Sequence, residues 1–306
     1  MLLLEKIGSG KYSDIFLVKN GEIRFAMKIS YYREETVKDF MQKIKEGRTE
    51  DAKRAKNSDA ISIAARFAKI TLKMKKTCTP HFIHVYESKD IKNFIEKIPI
   101  LTSRYSELSP FQKKYNHVTF MEEFETDMTT FLTKKTYDDV FLRKLIFRII
   151  YSIAAAQRYI TGWRHNDLST NNVLTKKTQK TSLKYVVDGT CFYVSCDRSV
   201  VIIDYDFVHA DDPRLDNSRV RSGQFKVLPD KNASYDAHFF LKSVSKCLSK
   251  SAQQTVLTKK FLQDLNLKQN DRHDEEIPSL APCEILKHSY FDSLKKAVPI
   301  EATYAF

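Results

Sequence analysis

The stretch WRHNDLSTNNVL, from Trp163 to Leu174, sets an imidazole (His165), a carboxylate (Asp167) and a carboxamide (Asn172) close together in the chain. A carboxylate so placed can take a proton from a hydroxyl nucleophile, and a carboxamide oxygen is a hard ligand for Mg²⁺. Asp204 closes the apolar run VVIID and supplies a second hard oxygen donor. Near the N-terminus, Gly8 and Gly10 in IGSGKYSDIFLV stand at a turn between two strand-like runs. Without Cβ atoms they let backbone N–H groups come close to a phosphate. No G-K-[ST] and no helix follow them, so this is not a P-loop. Lys28 in FAMKIS lies on a strand whose alternation turns it inward with Ala26. An inward ammonium needs an anionic partner, because burying it alone is costly.

These groups need rigid elements to bring them together. The first thirty residues read as three strands, with Asn20-Gly21 as the hairpin turn between DIFLVKN and EIRFAMKIS. From about Tyr32 to Lys76 the pattern is helical and highly charged, with Ile61, Ala64, Ala65, Ala68 and Leu72 on one apolar face. Pro80 ends it. HFIHVYESK and NHVTFMEEF read as strands, and a helix from about Tyr137 to Gly162 is apolar almost all round, hence buried. After the opening stretch come two strand-like runs about an Asp188-Gly189 turn and a third strand ending at Asp204. A polar loop to about Asn232 leads into a helix near Tyr235 to Leu248 and then short helices. A β-rich part followed by a mostly α part predicts two lobes of one domain, about 1–123 and 124–306, with the boundary near Glu123 to Asp127.

The chain of 306 residues carries a formal charge of +13, which invites a nucleic-acid reading. Much of the excess lies between Lys38 and Lys76, where 12 Lys/Arg face 5 Asp/Glu, and a charged helical face accounts for that run equally well. Nucleic-acid binding is therefore not favoured. The sequence has no apolar run long enough to span a membrane and no signal-peptide pattern at the start. The five cysteines include no C-x-x-C pair, and an odd count argues against a disulfide framework. A soluble, intracellular monomer is expected. His81 and His84 have no third ligand nearby, and nothing marks Cys191 or Cys196 as reactive, so all four are read as structural.

In order along the chain, these elements resemble the protein-kinase signature set. Ile7, Gly8, Ser9, Gly10, Lys11, Tyr12, Ser13, Asp14 and Ile15 match the glycine-rich loop, and Ala26 with Lys28 in AMK matches the strand-three lysine motif. HNDLSTNN matches H-R-D-L-x-x-x-N, which implies Asp167 as catalytic base and Asn172 as metal ligand. DYD stands for D-F-G and gives Asp204 to Mg²⁺. VTFMEEF resembles the fifth strand and hinge, with Met121 as gatekeeper and Glu122 to Phe124 offering backbone groups to adenine. SYDAHFFLKSV looks like the buried large-lobe helix whose acid, Asp236, braces the catalytic loop, and EILKHSYFDSL looks like the last helix. The resemblance implies an α+β, bilobal kinase-like fold with a β-rich N-lobe, a mainly α-helical C-lobe and an inserted β-hairpin. It also implies ATP and Mg²⁺ as cofactors, Lys28 as a catalytic residue and a protein hydroxyl as substrate.

The chain departs from the family in several places. Ser13 replaces the third glycine, Asn166 the usual Arg, and Asp206 the glycine of D-F-G, while no A-P-E follows. Asn166 cannot make the charge-assisted pair that Arg makes with an activation-loop phosphate, so activity without that modification is expected. With the hairpin between Asn172 and Asp204, the pattern is most similar to the haspin-like serine/threonine kinases of large DNA viruses, which implies a viral protein. Small-molecule kinases of the choline or aminoglycoside type also show H-N-D and D-[FY]-[ED], and a pseudokinase binding module is the third reading. Asp59, then Glu50, are the acids expected to pair with Lys28.

Overall fold

The computed structural model describes residues 2–10, 12–98, 105–134, 137–223, 233–249, 255–267 and 280–306. Its N-terminal part is an antiparallel five-stranded sheet of order β1-β2-β3-β5-β4. The strands are β1 (Leu2–Gly10), β2 (Ser13–Asn20), β3 (Ile23–Tyr31), β4 (Val85–Lys92) and β5 (Tyr115–Glu122). Asn20 pairs with Ile23, so the two-residue turn is Gly21-Glu22, one residue past the Asn20-Gly21 of the sequence reading, with Gly21 at φ +59°, a conformation most side chains resist. Phe16, Val18, Met27, Ile29, Tyr31 and Val118 are buried together on one face, as period-two alternation requires.

Between β3 and β4 the chain forms three helices where the sequence reads as one charged helical stretch: α1 (Glu34–Lys45), α2 (Thr49–Asn57) and α3 (Ala60–Thr77). Gly47 at φ +74° ends the first, and Asp59 caps the third by accepting the Ile61 N–H. The core face of α3 is Ile63, Phe67, Thr71 and Met74. Of the apolar face read from the sequence, Ile61, Ala64, Ala65 and Ala68 also line a cleft, Ile61 and Ala68 being buried, while Leu72 does not line it. The β4 strand begins only at Val85. Ahead of it, Ile83 donates its N–H to Ile202 O, which ties this segment to the C-terminal part.

Past β5, a short α4 (Pro110–Lys114) having preceded it, come β6 (Thr126–Asp127), α5 (Met128–Lys134) and the long α6 (Asp139–Tyr159). Asp138 caps α6, and every residue from Leu145 to Ala156 is buried. At about 1.5–3 kcal/mol for each large apolar side chain fully buried, this helix dominates the C-terminal core. The β-hairpin is longer than the sequence pattern indicates. Strand β7 (Val173–Val187) starts directly after Asn172, and β8 (Thr190–Ile202) runs unbroken where two strands are predicted. Asp188 and Gly189 at φ 45° and 79° make its tight turn. The helices α7 (Ser218–Arg221), α8 (Tyr235–Ser249), α9 (Val256–Asp264) and α10 (Pro282–Leu286) follow. The predicted last helix is in fact the five-residue α10 and a separate 3₁₀ segment, Ser289–Lys295. The chain then adds β9 (Ala302–Ala305), which pairs parallel to β7 and is absent from the sequence reading. The arrangement is α+β, with an antiparallel sheet in the N-terminal part and a helical C-terminal part, consistent with a bilobal kinase-like fold.

Candidate active site

A cleft of about 780 Å³ lies between the five-stranded sheet and the C-terminal part. Ile7, Gly8, Ser9, Gly10, Ser13, Ile15, Ala26, Lys28, Met121, Glu122, Phe124, Asn172 and Asp204 all line it. Two residues of the glycine-loop match do not. Asp14 is fully buried, its carboxylate accepting from Tyr31 Oη at 2.5 Å and meeting Lys6 Nζ at 2.7 Å, so it braces the sheet. Tyr12 is half-buried with its ring between the Arg33 and Arg219 guanidinium groups, 4.6 Å and 5.8 Å from the ring centre. Lys11 lies outside the described residues.

Asp204 is positioned by its neighbours on both sides. Tyr205 is buried edge-on against Phe67 of α3 at 4.8 Å, and its hydroxyl donates to Ile202 O. With that ring fixed in the core, the flanking Asp204 and Asp206 both reach Lys28. Its Nζ is 3.1 Å from Asp204 Oδ1 and 3.8 Å from Asp206 Oδ1. Asp204 sits at φ +63°, a strained backbone for a non-glycine residue and one that concentrates at functional sites. Burial works against charge on Lys28, but Asp204 and Asp206 outweigh it and raise its pKa. Lys28 in turn lowers that of Asp204. Both shifts keep the pair ionised through neutral pH. Asp206, also 3.7 Å from Arg219, is pushed up, chiefly by burial.

Lys28 therefore takes its acids from the end of β8, and neither Asp59 nor Glu50 pairs with it. Asp59 is spent on its helix cap, and Glu50 is exposed and bound to Lys53 at 2.8 Å. The α3 residues facing the cleft beyond Ile61 are alanines, which hold no charge to offer.

The catalytic-loop candidate is held from two directions. Asp236, at the start of α8, is completely buried and accepts the His165 N–H at 2.7 Å and the Asn166 N–H at 2.8 Å. His165 donates from Nε2 to Ile203 O, and its Nδ1 faces the Asp167 N–H, so the ring is a strut rather than a reacting group. Asn166 at φ +63° donates from its side chain to Phe207 O. Asn172 Nδ2 donates to Asp167 O and to Asp167 Oδ2 at 3.2 Å, leaving its carboxamide oxygen as the end for a cation. Asp167 itself lines a second, adjoining groove. Beyond DYD, Asn217 donates to Asp206 O and Val208 O, and Ser218 donates to Ser58 O.

Removing the Asp236 carboxylate strands two buried N–H groups, each worth about 1–3 kcal/mol. Asp236→Ala is expected to lower the melting temperature by several degrees and slow turnover together. An unchanged melting curve would mean that the loop is held by something else.

Two histidine readings stand. The His81 ring is buried between Val200 O at 3.0 Å and Tyr185 Oη at 2.7 Å, and burial drives its pKa well down, which keeps it neutral. His84 packs edge-on against Tyr86. All five cysteines are free thiols. Cleft residues that the sequence did not single out include Leu17, Val85, Leu174 and Ile203, an apolar set around Met121, and Asp206 in a charged role. Apolar residues on strand edges carry no signal of their own; Asp206 was visible only as a departure from D-F-G.

The fold is consistent with a bilobal, kinase-like arrangement. No protein-family model matches the chain. A protein of Acanthamoeba polyphaga mimivirus, named as a candidate serine/threonine-protein kinase, is 23% identical over 193 residues, which is 54% of this chain and 41% of that protein. The matched region thus spans less than half of that relative, and supports a kinase-like relationship. Among the described residues, no helix is long and apolar enough to cross a membrane.

Proposed function

We propose that the chain is a Mg·ATP-dependent serine/threonine protein kinase. The observation that carries this is the Lys28–Asp204 contact at 3.1 Å, which joins the N-terminal sheet to the end of β8 with Asn172 and Asp167 beside it. In this reading the adenine lies among Leu17, Val85, Met121, Leu174 and Ile203. The Glu122 N–H is used by His84 O, so Glu122 O and the Phe124 N–H are the hinge groups left for the base. Gly8 to Ser13 cover the phosphates and Lys28 pairs with them. Among the described residues no cluster of three His, Cys, Asp or Glu makes an all-protein metal cage. That suits Mg²⁺, which keeps waters and phosphate oxygens beside one or two protein ligands, here Asp204 and Asn172. When bound, the ion supplies charge neutralisation at the transferred group. Asp167 orients the substrate hydroxyl and accepts its proton.

The mimivirus relative supports the protein-kinase reading and the viral origin that the resemblance implies. The haspin-like subtype rests on HNDL, the hairpin and the YDAHFFL helix. The acidic residue in DYD is the feature shared with small-molecule kinases, and it sits against Lys28. Adding Mg·ATP is expected to raise the melting temperature by several degrees, since a ligand at about 100 times its Kd contributes about 2.7 kcal/mol. No shift at millimolar nucleotide would sink the nucleotide site.

A further inference from the structure

We propose that Asp206 is the acid that positions Lys28 for transfer, and that Arg219 holds Asp206 in place for it. In protein kinases a glutamate of the small-lobe helix pairs with the corresponding lysine. The assignment deepens the kinase reading above and rests on it.

The helix beside the cleft, α3, cannot supply this acid. Ala60–Thr77 contains no Asp or Glu, and its residues on the cleft are Ile61, Ala64, Ala65 and Ala68. Acids along the hinge side of the cleft are engaged elsewhere: Glu122 with Lys75 at 3.1 Å, Glu123 with Arg24 at 2.7 Å and Glu125 with Arg198 at 3.0 Å. The two carboxylates of DYD are the ones that reach Lys28. Asp204 is also a proposed metal ligand, so its charge is shared once Mg·ATP is bound. Asp206 carries no such duty, and a buried ammonium without an acid of its own is costly.

Asp206 is fixed from its far side. One carboxylate oxygen faces Lys28 Nζ at 3.8 Å, and the other faces Arg219 Nη1 at 3.7 Å. Both cations favour its charged form, against the burial that opposes it. Arg219 is itself buried, its guanidinium 5.8 Å and 5.6 Å from the ring centres of Tyr12 and Phe207. The fully buried Asn217 ties the two backbones together: its Nδ2 donates to Asp206 O and its Oδ1 accepts the Arg219 N–H, both at 3.0 Å. The partner of Lys28 is therefore set by α7 and its cap, and not by the position of α3.

Replacing Asp206 by glycine makes the motif more like D-F-G, yet it is expected to inactivate this chain. In Asp206→Gly and in Asp206→Asn, kcat should fall by about 30-fold or more while the KM for ATP changes by less than about threefold. Arg219→Gln should also lower kcat. The Asp206→Asn/Arg219→Gln double variant should be no slower than Asp206→Asn alone, because Arg219 acts through Asp206. A second measurement needs no turnover: acetic anhydride labelling of Lys28 in the nucleotide-free chain, read by mass spectrometry. Asp206→Asn should speed that labelling by about threefold or more, since less of the amine is held protonated. Normal kcat in either Asp206 variant, or an unchanged labelling rate, overturns the assignment and leaves the kinase reading standing. Losses that multiply in the double variant remove Arg219 from it. No transfer by the wild type overturns both readings.

Discussion

Asp167→Asn is expected to lower kcat by about 100-fold or more while leaving Mg·ATP affinity nearly unchanged. The substitution preserves the shape of the side chain, and the loop that carries it is held by groups it does not touch. Asp236 still binds the His165 and Asn166 N–H groups, and His165 still donates to Ile203 O. Only the capacity to accept the substrate proton goes. Asp167 faces the adjoining groove rather than the nucleotide cleft, so nucleotide contacts should survive. His165→Tyr is expected to cost less, because His165 acts on the loop and not on the reacting atoms. Single-turnover and steady-state kinetics on both variants decide it. Wild-type kcat in Asp167→Asn would return HNDLSTNN to the role of a turn.

Asp204→Ala should damage both binding and turnover. It removes one proposed metal ligand and the nearest partner of Lys28, leaving that buried ammonium with Asp206 at 3.8 Å. Breaking one side of such a pair is strongly unfavourable, about 3–5 kcal/mol where burial is complete. Lys28 is about one-fifth exposed, so solvent discounts part of that cost. Alanine keeps the Cβ, so the strained φ at position 204 is not relieved by the substitution. The expected result is a rise of tenfold or more in the Mg²⁺ concentration needed for half-maximal activity, together with a lower kcat. An Asp204→Ala enzyme with normal Mg²⁺ dependence would place the metal elsewhere.

Local signals in the sequence were legible where local physics settles the structure. Asn20-Gly21 and Asp188-Gly189 demand positive φ or tolerate it, and both mark their hairpins, the first one residue early. The all-round apolar character of α6 marks it as core. The order of Gly8, Lys28, Asp167, Asn172 and Asp204 was readable because each residue type is tied to one job. Pairing across long separations was not. Lys28 meets an acid 176 positions away, and the sequence reading looked instead within the charged helical stretch, where Asp59 serves as a cap. That stretch hid its breaks because Gly47 is its single glycine and charged residues are spread along all of it. Strand β9 was missed because ATYA is too short to show alternation and is held by its partner β7. Asp14 sits within the glycine-loop motif, yet strand alternation on β2 sends its side chain away from the cleft, and Tyr12, in the turn before β2, packs under the Arg33 guanidinium.

Transfer of labelled γ-phosphate from Mg·ATP is the most direct test of the central claim, run side by side on casein, histone and choline with Asp167→Asn as control. The account predicts label on protein serine or threonine, none on choline, and loss of the signal in the variant. Label on choline alone would make the chain a small-molecule kinase, and label on nothing, with nucleotide bound, would make it a binding module.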